Sequence, residues 1–390
     1  MNQIYPILLL FVFAVLFGCE TQEKPGELPT DPEPDKRIRY ETLLDDTIQA
    51  YLSREQIPGL AVSVIRDGAI DWMKGYGYAN VAAKVPVSKN TRFTVGDPAQ
   101  VVIAVAFLQL QEKGKIALDD NINAYLPFQV IHPYFPQAKL TPRMLLAHSS
   151  GIQDRPAVLA NHYAAGDPET SLGDFLRGYL AEGGADYSYL NFSSVKPARE
   201  YHYSRVGISL AAYLVERIEG ISFEQYCRVH VFAELGLFNT SWLLSGMQVQ
   251  TLAIAYEKIG ASLQPQPFYS YPFYPAGTLR ISIEHLSRFW LSMIESGVYG
   301  PQQLITPASL ELMYPVQYPD ASTAQAMAWT YQWPEGRRLL GLDGTDVGLS
   351  TRMKMDPQTR RGVILLTNGR GYDAALDRIL LRAFEAAEIR

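Results

Sequence analysis

Apolar side chains recur at helical spacing at Leu43, Leu44, Ile48 and Leu52, on a charged background between Ile38 and Glu55, which predicts an amphipathic helix. The period then changes. Leu60 to Ile65 is an apolar run, Arg66-Asp67-Gly68-Ala69 supplies an Asp-Gly turn, and Ile70 to Gly77 returns, so a tight antiparallel hairpin is predicted. Pro98 to Gly114 is apolar nearly all round, as expected of a helix buried in the centre of a domain and closed by Gly114. From there to about residue 250, helical patterns alternate with Pro/Gly loops, and Leu279 to Glu295 adds one more helix ending near Gly297. Ser350 to Met355 and Gly362 to Thr367 read as strands joined by the turn Asp356-Pro357-Gln358-Thr359, ahead of a terminal helix at Ala374 to Ile389. Strands near both ends with helices between them predict an α+β fold. An antiparallel sheet is built from both ends of the chain, flanked by N- and C-terminal helices, with a mainly helical lobe inserted. The expected division is an α/β lobe over 37–96 and 255–390 and a helical lobe over 97–254. No internal repeat is present.

The two ends and the composition narrow the setting. Ile4 to Phe17 is apolar, too short for a comfortable membrane span and placed where a secretory signal core lies. It runs into Leu16-Phe17-Gly18-Cys19, which resembles a bacterial lipobox. The expectation is a signal peptide over 1–19, a lipid on Cys19, and a protein anchored in the cell envelope, facing the periplasm or the cell surface; the alternative is an uncleaved anchor or an ordinary signal peptide. Residues 20–36, rich in Pro, Glu, Asp and Thr, read as a disordered tether with almost nothing to bury. The 390 residues, 47% of them hydrophobic, are enough for one large two-lobed body. A net charge of −6 with both signs interspersed, and no Lys/Arg stripe, argues against nucleic acid as a partner. Cys227 is the one other cysteine, so no internal disulfide is expected, and it reads as a small buried hydrophobe. The six histidines contain no i,i+4 pair and no H-E-x-x-H pattern, so no zinc site is expected, and nothing calls for a cofactor.

Candidate chemistry enters through a series of short segments. Ile57-Pro58-Gly59-Leu60-Ala61-Val62 comes first, then Gln111-Glu112-Lys113-Gly114-Lys115-Ile116-Ala117-Leu118-Asp119-Asp120, then Leu140 to Gly151 with Leu145-Leu146-Ala147-His148-Ser149-Ser150-Gly151. Tyr203-Ser204-Arg205-Val206-Gly207, Val231 to Leu237, Pro275-Ala276-Gly277 and Gly362 to Asn368 follow. In this order they resemble the β-lactamase-related serine hydrolases, the group of class C β-lactamases, DD-peptidases and related esterases. The resemblance implies three motifs: S-x-x-K at the start of the buried helix, Y-S-N, and H-x-G or K-T-G on a strand lining the cleft. In that group the serine is acylated after its proton is taken through the lysine and the tyrosine.

Laid on this chain without a gap, the serine position falls on Asp97 and the lysine position on Gln100. The tyrosine is kept as Tyr203, the asparagine position holds Arg205, and the third motif falls on Leu342-Asp343-Gly344. A carboxylate is a poor acyl acceptor, and an amide neither takes nor gives a proton at neutral pH. Loss of the family chemistry is therefore expected. Asp97-Pro98 also reads as an N-cap followed by a first helical residue. Ser149, Ser150 and Ser204 have no lysine three residues later. Arg205 suggests an anionic ligand group, or a salt bridge to Asp97 or Asp343. Two aromatic clusters, Tyr187, Tyr189 and Phe192, and Phe268, Tyr269, Tyr271, Phe273 and Tyr274, suit stacking on sugars or peptide side chains, and ordinary packing explains them equally. The expected function is a non-catalytic binding or scaffolding module for cell-wall peptide or glycan. The alternative is a weak hydrolase of esters, amides or β-lactams with an unrecognised nucleophile.

Overall fold

A computed structural model describes residues 36–388. The predicted signal peptide, Cys19 and nearly all of the tether lie outside the described residues. Helix α1 (Lys36–Glu55) buries Leu44 and Ile48 and leaves Leu43 in solvent, so the core stripe is narrower than the sequence pattern suggests. Strands β1 (Gly59–Arg66) and β2 (Ala69–Asn80) form the predicted hairpin. Asp67 and Gly68 both take positive φ, 51° and 75°, the turn geometry that matches strand twist and that Asp-Gly tolerates.

Seven antiparallel strands make the main sheet, in the order Thr330–Gln332, Leu339–Asp346, Leu349–Asp356, Arg361–Thr367, β1, β2 and β3 (Val85–Pro86). β1 registers against Arg361–Thr367 from Leu60↔Thr367 to Ile65↔Gly362, so both ends of the chain meet in the sheet centre. Alternation between two covered faces explains why these central strands are mostly apolar. Leu60, Val62, Val64, Val363 and Leu365 face α1 and the C-terminal helix Asp373–Glu388. Ala61, Ile65, Ile364 and Leu366 join the larger core on the opposite face, with Phe289, Trp290 and Met293 of the helix Ile283–Ile294.

The chain leaves the sheet through β4 (Arg92–Thr94) and enters helix α2 (Ala99–Glu112), in which every residue from Ala99 to Leu110 is buried. The sequence expectation of one helix from Leu279 is corrected. Arg280–Ser282 is a strand paired with β4, and the helix begins only at Ile283, where Ser282 caps it by accepting the His285 N–H. A cap-forming serine between two apolar segments ends one element and starts another.

Candidate functional site

The site begins at the sharp turn from β4 into α2. Val95 N–H donates to Leu279 O at 3.0 Å and Gly96 N–H to Gly277 O at 3.0 Å, and Gly96 takes φ +68°, a conformation that favours glycine. The strand Leu339–Asp346 lies directly against this turn. A Cβ at Gly344 would sit 2.5 Å from Val95 O and 3.1 Å from Asp97 N, so only glycine permits the approach. Asp97 and Gly344 are thus brought together as the aligned motifs require. Alternation sends Leu342, Gly344 and Asp346 to the site face and Asp343 to the other. Leu342 is buried in the core. Asp343 instead accepts from buried Lys354 Nζ at 2.6 Å and from Gln332 Nε2 at 3.0 Å.

Four side chains then form one polar chain. Tyr203 OH donates to Asp97 Oδ1 at 2.6 Å, and Gln100 Nε2 donates to Tyr203 Oη at 3.0 Å. Gln100 Oε1 lies 2.9 Å from His148 Nε2, and Ser204 N–H donates to His148 Nδ1 at 3.2 Å. A backbone N–H can only donate, so Nδ1 accepts and the His148 proton sits on Nε2, aimed at Gln100. Burial pushes the His148 imidazole down to about 4, in keeping with that neutral tautomer. His148 also holds φ +50°, a left-handed conformation uncommon outside glycine but one that histidine adopts more readily than most residues.

The Asp97 carboxyl keeps partial contact with solvent, yet its surroundings push it up to about 7. Burial raises it against the opposing Tyr203 hydrogen bond and the Arg205 charge. Burial and the Asp97 charge together hold the Tyr203 hydroxyl well above the ordinary phenolic range. The expected N-cap role of Asp97 is corrected. Its side chain serves Tyr203, whereas the α2 amides are met by backbone, with Gln100 N–H on Asp97 O at 2.9 Å.

Arg205 opens the helix Arg205–Glu219, capped by Ser204 Oγ accepting from Gly207 N–H at 2.9 Å. The Asp154 carboxylate reinforces this end, accepting from Arg205 N–H at 2.9 Å, Val206 N–H at 3.1 Å and Ser204 Oγ at 2.8 Å. The guanidinium does not pair with Asp97 or Asp343 as expected. Its carboxylate neighbours are Asp154 (Nε, 3.7 Å) and Asp346 (Nη1, 3.5 Å), and Nη1 donates to Tyr163 Oη at 2.6 Å. The strand face carries Asp343 away and delivers Asp346 in its place. The rings of Tyr163, Tyr271 and Phe273 surround the guanidinium, with centroids 6.0, 5.9 and 5.5 Å away.

Of the two aromatic clusters, Tyr271 and Phe273 from the second reach this site. Tyr187 and Tyr189 of the first line a separate cavity with Gln129, Ile131, Pro133 and Pro136. Ser149 and Ser150 are 1% and 2% exposed, and Ser204 Oγ is committed to Asp154. Cys227 is buried. Among the described residues no group of three or more His, Cys, Asp or Glu is placed to hold a metal ion. Asp346, Asp154, Tyr163 and His148 belong to the site although no motif marked their role. Asp346 was within reach of strand alternation from Leu342 and Gly344, while Asp154 and Tyr163 lie in loops with no periodic signal.

The chain matches the family model described as Beta-lactamase over residues 44–387. It is 23% identical over 326 residues to Protein flp of Staphylococcus aureus (strain MW2), a match covering 83% of this chain and 62% of that protein. The chain thus spans less than two thirds of that relative's length. Among solved structures it resembles the octameric penicillin-binding protein homologue from Pyrococcus abyssi, with TM-score 0.71, 22% identity, and coverage of 88% of this chain and 77% of that one. It also resembles a penicillin binding protein from Bacillus halodurans, with TM-score 0.69, 19% identity, and coverage of 87% and 98%. At these identities the structural likeness speaks to the fold.

Proposed function

The chain belongs to the Beta-lactamase family, and from that premise we propose that it is a non-catalytic member. In this reading it is a binding or scaffolding module for cell-wall peptide or glycan, held at a membrane of the cell envelope by a lipid on Cys19. The observation that carries the reading is the closed polar chain from Asp97 through Tyr203 and Gln100 to His148. Acyl transfer needs a nucleophile and a base that can take its proton. Asp97 at the turn offers a carboxylate whose acyl adduct would be an anhydride. Gln100 has both ends of its amide engaged and no proton to exchange. The Tyr203 proton is directed to Asp97, and burial beside that carboxyl keeps it in place. Loss of one member of a cooperative catalytic unit costs several orders of magnitude in rate, and here the nucleophile and base positions are both changed. Tyr163 at the site is partly exposed, and Tyr269 stacks beside it with ring centroids 5.5 Å apart, an aromatic edge that suits a sugar or peptide.

The test is intact-mass analysis of the full chain, shown to be folded, after incubation with a fluorophosphonate and a panel of β-lactams. No adduct is expected. A stoichiometric adduct would restore the hydrolase reading, and mapping it would locate the nucleophile. For the anchor, metabolic labelling with an alkyne fatty acid should tag the wild-type chain and not Cys19→Ser. Equal labelling of both would remove the lipid from the proposal.

A further inference from the structure

Asp346 closes the strand Leu339–Asp346, directly before the Val347–Gly348 turn, and its carboxylate is held by donors from several parts of the chain. Tyr163 OH reaches both oxygens at 3.1 Å, Tyr271 OH reaches Oδ2 at 3.3 Å, and Arg205 Nη1 lies 3.5 Å from Oδ2. Its own neighbour Val347 donates its N–H to Oδ1 at 2.8 Å. The donors are braced without Asp346. Asp154 and three aromatic rings hold the Arg205 guanidinium in place, and Tyr271 and Phe273 stack with centroids 4.1 Å apart. A guanidinium fixed beside two phenol hydroxyls is a receptor for a carboxylate, because none of its donors must be reorganised on binding. The cluster lies at the site rather than deep in the core, with the side chains of Arg205 and Asp346 23% and 12% exposed.

We propose that Asp346 is an intramolecular occupant of this receptor, and that the ligand it excludes carries a terminal carboxylate. The inference rests on the binding-module reading and gives it a ligand class and a gate. Asp346 enters from a hairpin tip, tied by Gly348 N–H to Glu257 at 2.8 Å and by Tyr269 OH to Val347 O at 3.5 Å. Asp346 pairs with Leu349 as the last rung of the hairpin ladder, so displacement of its side chain is confined to the hairpin end and leaves the rungs from Thr345↔Ser350 inward in place. An occupant on the same chain lowers the apparent affinity for an external carboxylate by the fraction of time the receptor is free.

The experiment titrates N-acetylglycine, and N-acetylglycinamide as its uncharged counterpart, into the detergent-solubilised full chain, read by calorimetry. Asp346→Ala is expected to bind the acid at least about tenfold more tightly than wild type, which corresponds to a receptor occupied by Asp346 about nine-tenths of the time. The amide should show no gain, and adding Arg205→Gln to Asp346→Ala should abolish it. The isosteric Asp346→Asn keeps the local shape and should give a smaller gain with the same acid-over-amide preference, which covers any folding defect of the alanine variant. Equal affinity of wild type and both Asp346 variants, gains shared by acid and amide, or a gain that survives Arg205→Gln would each overturn the proposal. A covalent adduct in the mass experiment would instead sink the non-catalytic reading and leave this titration standing.

Discussion

Asp97 makes the stability of the fold depend on pH in a direction opposite to that of most carboxylates. Burial raises its carboxyl from the ordinary 3.8 to about 7. Below the lower value the group is protonated in both folded and unfolded chains. Between the two values the folded chain keeps a proton that the unfolded chain has released, so stability falls as pH rises, by about 1.4 kcal/mol per unit. Over the whole interval the loss approaches ~4 kcal/mol, and the partial solvent contact of Asp97 moderates it to about 2–4 kcal/mol. Asp97→Asn removes the titration while its amide oxygen still accepts from Tyr203 OH. Urea unfolding of both proteins from pH 4 to pH 8 at fixed ionic strength measures the difference. The two should be close at pH 4, and the variant should become the more stable by about 2–4 kcal/mol at pH 8. Taking the difference cancels Glu216 and Glu224, which burial also raises. Parallel stability profiles, or a variant less stable at every pH, would refute the reasoning.

Tyr203→Phe removes the hydrogen bond that holds the Asp97 carboxyl down, so its titration, followed by carbon NMR of the labelled carboxyl, should move above that of wild type. Gly344→Ala places a methyl 2.5 Å from Val95 O and should cost about 2–4 kcal/mol in thermal or urea unfolding. His148→Ala leaves Gln100 Oε1 and Ser204 N–H without partners in a buried site, and a loss of about 2–5 kcal/mol by urea unfolding is expected.

The sheet was readable in advance because its physics is local. The Asp-Gly turn fixes a hairpin, apolar runs at both ends mark strands buried on both faces, and the all-round apolar pattern after Pro98 has room only in a core. Motif spacing likewise put Asp97, Gln100, Tyr203 and Gly344 in one place, and the structure gathers them. The partners could not be read in the same way. Arg205 was expected against Asp97 or Asp343, but the parity of one strand turns Asp343 toward Lys354 and brings Asp346 to Arg205. Asp97 had every local mark of an N-cap, and a tyrosine 106 positions away claims its carboxylate instead. Local propensity gives way where a distant group offers a better hydrogen bond inside a low-dielectric site.

The pairing of β1 with Arg361–Thr367 also sets the order in which this protein can be made. Thr367 Oγ1 donates to Gly59 O across 308 positions, and the core beneath the sheet needs both segments present. Contacts so remote in sequence close slowly, and a chain emerging N-terminus first holds β1 with one edge unpaired until Arg361–Thr367 has arrived. A chain shortened before residue 361 therefore loses the centre of its sheet. Until Arg361–Thr367 is made, the open edge of β1 is free to pair with another chain, so the same contact that completes the sheet also closes a route to aggregation.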